Sequence, residues 1–64
     1  MISFDPLWKT LIDRKMSKRE MAQKAGISKS TLVQLNHDQS VTLETIEKVC
    51  TALQVPIDSV VEIK

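Results

Sequence analysis

The chain of 64 residues is read as one domain, 1–64, because a chain this short buries only about 60% of its unfolded surface and has no length to divide. At 42% hydrophobic and 27% charged residues it is an ordinary globule rather than a disordered segment, and no apolar run approaches the roughly 20 residues of a membrane span. The net charge of +1 is low for a nucleic-acid binder, and the single cysteine excludes an internal disulfide and a cysteine-rich metal site.

In chain order the pattern predicts five helices and no strand. Asp5-Pro6 opens the first, with the aspartate as N-cap and the proline at N1, where a missing N–H costs nothing. Leu7, Trp8, Leu11 and Ile12 recur at helical spacing as its buried stripe. The opening MISFDPLW has neither the basic nor the apolar segment of a secretory leader, so a cytoplasmic protein is expected.

Ser17 to Leu35 is the most informative stretch, with two helix starts and a glycine in nineteen residues. Ser17 with Glu20 forms a capping box, flanked by Met16 and Met21 at staple positions. Gly26 stops the second helix, since the residue after a helix usually needs φ > 0 and glycine adopts it freely. Ser28 caps the third helix, with Ile27 and Leu32 as its staple. Only Gly26 and Ile27 separate the two helices, which must therefore diverge steeply, as in a helix-turn-helix. Met21, Ala25, Ile27, Leu32 and Leu35 are expected to point inward, with Ala22 small at the helix crossing. Lys18, Arg19, Gln23, Lys24, Lys29, Ser30, Thr31, Val33 and Gln34 fall on the other faces.

Thr42 caps a fourth helix with Leu43, Ile46, Val49, Cys50 and Leu53 as one apolar face. Pro56 marks a break, and the segment from Ile57 to Ile63 reads as a short fifth helix or an extended tail. Cys50 is read as a small core hydrophobe in a reducing compartment. Phe4 and Trp8 are read as core or cover residues rather than stacking platforms for single-stranded nucleic acid.

The segment SKREMAQKAGISKSTLVQL resembles the helix-turn-helix of the Xre/Cro-repressor family of bacterial and phage transcription regulators. FDPLWKTLIDRKM resembles that family's first helix and SVTLETIEKVCTALQVPIDSVVEI its closing two. The most specific part is AGISKSTL, followed ten residues later by TLETI. The resemblance implies an all-α, five-helix, lambda-repressor-like DNA-binding domain, with the helix-turn-helix formed by helices 2 and 3. It implies a transcriptional regulator, a repressor, that inserts the helix at 28–36 into the major groove of double-stranded DNA.

By that resemblance Lys29, Ser30 and Gln34 read base edges. The chemistry fits, since Gln suits adenine N6/N7, Lys suits guanine O6/N7 and Ser suits either. Ser17, Lys18, Arg19, Ser28, Thr31, Asn36 and His37 are the candidates for phosphate or mixed contacts, with Lys24 as a further phosphate candidate. Thr31 can equally complete the cap of its own helix. Many family members carry Gln at the position of Lys18 and use it to brace the recognition helix. Lysine supplies charge but not a two-way amide bridge. Asn-Gly is common where this chain has His37-Asp38; aspartate tolerates the left-handed conformation but sets a negative charge beside DNA.

Charge is unevenly spread. Residues 1–37 carry seven Lys and Arg against three acids, a net +4, and residues 38–64 carry two against five, a net −3. Such a dipole orients a protein on a polyanion. One module has a small interface of about 600–1,000 Å², so specificity calls for a dimer on a palindrome. Ile63 is the first candidate for a dimer contact, with Val60 and Val61 read as core closure over the fourth helix or, alternatively, as dimer contacts too. One histidine, no acidic pair sharing a site and no glycine-rich phosphate loop leave no catalytic constellation. No cofactor, metal or small-molecule ligand is expected. The alternative from another class is an antitoxin-like or accessory protein-interaction module with weak DNA binding, favoured by the low net charge, Lys18 and Asp38.

Overall fold

The computed structural model describes every residue from Met1 to Lys64. Four α-helices surround one core: α1 (Asp5–Asp13), α2 (Lys18–Ala25), α3 (Lys29–Asn36) and α4 (Leu43–Leu53). Phe4, Leu7, Leu11, Met21, Leu35, Ile46, Val49, Leu53 and Val60 form that core. All four helices contribute to it, so α3 is held from beneath by Leu35, which is wholly buried.

The fifth helix is not formed. Ile57–Ser59 makes a single 3₁₀ turn, and Glu62–Ile63 (β2) then pairs antiparallel with Ile2–Ser3 (β1), Ile2 opposite Ile63 and Ser3 opposite Glu62. Pro56 directs the backbone into one tight turn, closed by the Val60 N–H on the Ile57 carbonyl at 2.9 Å. The β-branched Val60 and Val61 that follow favour extension over helix. Thr10 fastens the turn to α1, its hydroxyl lying 2.9 Å from the Ser59 carbonyl.

Two further expectations are corrected, and Val60 takes one of its two readings. Asp5 is not the N-cap of α1. Phe4 holds that place, and the Asp5 carboxylate instead pairs with Lys64 at 2.8 Å. That contact holds the Asp5 carboxyl below its usual range and raises Lys64. Ile12 and Leu43, expected in buried stripes, are 74% and 79% exposed, since each lies at an edge of its helix that no neighbour covers. Val60 is fully buried, so it is core and not a dimer contact, whereas Val61 is half-buried and Ile63 is exposed.

All four helices end in the same way. Lys15, Gly26, Asp38 and Gln54 take φ of 54°, 71°, 53° and 55°. After each, the next N–H reaches back five residues: Met16 to Leu11, Ile27 to Ala22, Gln39 to Gln34 and Val55 to Cys50. The left-handed residue reverses the chain and satisfies carbonyls that the helix leaves orphaned.

Candidate nucleic-acid interface

The helix-turn-helix is built from α2, the Gly26-Ile27 turn and α3. Both halves of the capping box are made. Ser17 Oγ accepts the Glu20 N–H at 3.0 Å, and Glu20 Oε1 accepts the Ser17 N–H at 3.1 Å. The hydrogen bonds from the Ser17 backbone and then its hydroxyl hold the Glu20 carboxyl below its usual range. Gly26 needs its positive φ, but nothing lies within 4 Å of where a Cβ would stand. Ser28 Oγ accepts the Thr31 N–H at 3.2 Å and lies 3.0 Å from the Thr31 hydroxyl. Of the residues at the staple positions, Met21 is buried, and Met16, Ile27 and Leu32 pack against the core.

These bonds divide the candidate residues into two groups. Ser17, Ser28, Thr31 and Asn36 are engaged inside the protein. Lys29, Ser30 and Gln34 are exposed on α3, and none of their side chains has an intramolecular hydrogen bond or ion pair. Val33, one turn beyond Lys29 and Ser30, is 46% exposed and puts a bare methyl surface beside them. Arg19, Gln23 and Lys29 line one cleft between α2 and α3. Thr31, Gln34, Ser40, Thr42 and Thr45 line a second cleft between α3 and the start of α4. Sequence reasoning did not single out Gln23, Ser40, Thr42 or Thr45 as site residues. Only the folding of α4 beside α3 brings the last three next to Gln34.

Lys18 departs from expectation. Its Nζ donates to Asn36 Oδ1 at 2.6 Å and lies 4.3 Å from the centre of the Trp8 ring. The lysine thus makes a side-chain brace to the far end of α3, which a reading of its charge alone does not provide. Asp38 likewise has internal work, because its Oδ1 accepts the Phe4 N–H at 2.9 Å. The carboxylate that replaces a familiar glycine satisfies a donor at the start of α1. His37 caps α3 through its backbone N–H on the Val33 and Gln34 carbonyls, with its side chain exposed.

Electrostatically the two halves differ in kind. Every ion pair involves Lys48 or Lys64, both in the acidic half. Lys9, Arg14, Lys15, Lys18, Arg19, Lys24 and Lys29 have no carboxylate within 4.0 Å, so all seven cations of the first half are free of acidic partners. No group of His, Cys, Asp and Glu is arranged to hold a metal ion. Cys50 is half-buried, and burial raises its thiol pKa, which leaves it less ionised. No helix is long and apolar enough to cross a membrane.

On the far side of Val41 from the polar cleft lies an apolar groove of about 400 Å³, lined chiefly by Ile2, Leu43, Ile46, Ile57, Val61 and Ile63. Val41 lines both.

The Cro/C1-type helix-turn-helix DNA-binding domain matches residues 6–64. The crystal structure of the transcriptional regulator VanUg (form II) superposes with a TM-score of 0.92 at 36% sequence identity, covering 95% of this chain and 81% of that one. No curated protein matches the sequence.

Proposed function

Because the chain belongs to the Cro/C1-type helix-turn-helix DNA-binding family, we propose that it is a sequence-specific transcriptional regulator whose α3 enters the major groove and that it acts as a repressor. The observation that carries this reading is the bare face of α3. Lys29, Ser30 and Gln34 are exposed and unpartnered, while Ser17, Ser28, Thr31, Lys18 and Asn36 are engaged in capping and bracing. Gln34 would pair with adenine, Lys29 with guanine and Ser30 with either, and Val33 would meet a thymine methyl. Arg19, His37 and the backbone N–H groups at the Ser17 and Ser28 helix starts would take phosphates, where helix dipoles favour an anion.

Repression would follow from occupation of the site itself. The working unit would be a dimer on a palindrome with half-sites about one turn apart. The apolar groove is the seat we assign to the second copy, with Ile63, Val61, Ile2, Leu43 and Ile57 as contacts. Val41 lines both that groove and the cleft beside Gln34, so a second copy seated there would lie next to α3.

The protein-interaction alternative rests on the low net charge, Lys18 and Asp38. Lys18 and Asp38 both have structural partners, Asn36 with Trp8 and the Phe4 N–H, so a role within the fold accounts for those two residues. The test is a Lys29→Ala/Gln34→Ala variant measured on duplex DNA over a range of salt. The proposal expects an unchanged melting temperature and a loss of preference for the selected site, with steeply salt-dependent bulk binding retained. A variant that selects the same site as the parent chain contradicts the assignment of α3.

A further inference from the structure

We propose that Lys18 is a positioning residue for the recognition helix: its ammonium is a strut between α1, α2 and the last residue of α3, and not a phosphate contact. This inference rests on the DNA-binding reading above and assigns a role within it. Lys18 is the first residue of α2, next to Arg19, at the end of the helix where the macrodipole disfavours a cation. No carboxylate lies within 4.0 Å of the ammonium; Glu20, in the same first turn, answers the Ser17 N–H instead. What holds the ammonium is the Asn36 amide oxygen at 2.6 Å and the Trp8 ring at 4.3 Å to its centre. A cation within about 6 Å of an indole face is attracted by the ring quadrupole, most strongly for tryptophan.

The three partners come from three helices. Trp8 lies in α1, Lys18 in α2, and Asn36 is the final residue of α3. The near end of α3 is fixed by the two-residue turn and the Ser28 cap. Its far end has two polar ties, the Asp38 bond to Phe4 and the Lys18 bond to Asn36, above the buried Leu35. Gln34 lies two residues from Asn36, so slack at that end moves a base-reading side chain. Base readout depends on such sub-ångström placement, whereas bulk attraction to phosphate does not.

A phosphate contact and a strut make opposite predictions for Lys18→Met, which keeps the aliphatic stem and removes the charge. A double-mutant cycle with Asn36→Ala separates them, measured on a duplex carrying the site selected by the parent chain and on a scrambled duplex. The strut predicts that each single variant loses about tenfold in affinity for the selected site and keeps its affinity for the scrambled one. The double variant then loses no more than either single, the salt slope stays that of the parent, and Lys18→Arg restores binding. A phosphate contact predicts a salt slope shallower by about one unit for Lys18→Met and no effect of Asn36→Ala; that result overturns the proposal.

Emission from Trp8, the single tryptophan, reads the strut in the DNA-free protein. Lys18→Met and Asn36→Ala should both change it, and unchanged emission in Lys18→Met overturns the strut whatever the DNA result. Changed emission with no DNA binding by the parent chain would overturn the positioning role together with the functional reading, leaving an ordinary fold contact.

Discussion

At the residue scale the polar side chains that bond within the protein do so mainly at the helix starts. Ser17, Ser28 and Thr42 each accept an N–H from the third residue of the helix they open. Each such cap is worth about 1 kcal/mol, so Ser17→Ala should lower stability by that amount in denaturant unfolding, with α3 and its cap untouched. Glu20 answers Ser17 in the capping box, and its lowered pKa has a signed consequence. A carboxylate depressed in the folded state adds stability above its unfolded pKa and loses it as the pH falls through the folded one. Glu20→Gln keeps a hydrogen-bonding group but no charge. Its melting temperature should therefore lie below that of the parent chain near neutral pH and converge with it on acidification below the usual carboxylate range. A gap that stays constant to low pH would contradict the ionic half of the box. These caps were legible because donor and acceptor lie three residues apart. The bonds from Lys18 to Asn36 and from Phe4 to Asp38 were not, since they join residues 18 and 34 positions apart with no local pattern to announce them.

At the element scale the sequence announced where helices begin better than where they end. Gly26 is the only glycine, and it marked the one stop that composition could reveal. Lys15, Asp38 and Gln54 take the same left-handed backbone without that signature. Each bears a cost of roughly 1 kcal/mol that a glycine avoids, partly offset by the extra freedom glycine has when unfolded. Two opposite substitutions follow. Gly26→Ala should destabilise by about 1 kcal/mol through backbone strain alone, because no atom lies in the way of its Cβ. Gln54→Gly should stabilise by up to about 1 kcal/mol, read as a higher melting temperature. The fifth helix was misread for a different reason. A two-residue strand has no period to detect, and its partner lies at the other end of the chain. Helical and extended readings of Ile57 to Ile63 were both open, and the segment uses a turn of one and two residues of the other.

At the scale of the whole molecule, two surfaces are unfinished. One is the exposed face of α3 with Lys29, Ser30 and Gln34, and the other is the apolar groove. The first was legible because the helix-turn-helix spacing is local. The second was only glimpsed at Ile63, because Ile2, Leu43 and Ile57 meet it from distant parts of the chain. Ile63 is 85% exposed and Leu43 79%, so polar substitutions there should cost little in the fold of one copy. Leu43→Glu should leave helical content unchanged, shift sedimentation toward the monomer and weaken binding to a palindrome much more than to a single half-site. Equal loss on both duplexes would place the groove outside the dimer contact. A buried position behaves otherwise: Leu35→Ala, at the floor of α3, should cost about 2–5 kcal/mol, enough to unfold so small a domain.

The central claim is that α3 reads sequence, and selection of binding sites from a random duplex library at moderate salt tests it most directly. Enrichment of one motif is expected, arranged as two inverted half-sites whose centres lie about 10 base pairs apart. Recovery of unenriched sequence, with binding that only falls with salt or with none at all, would contradict it.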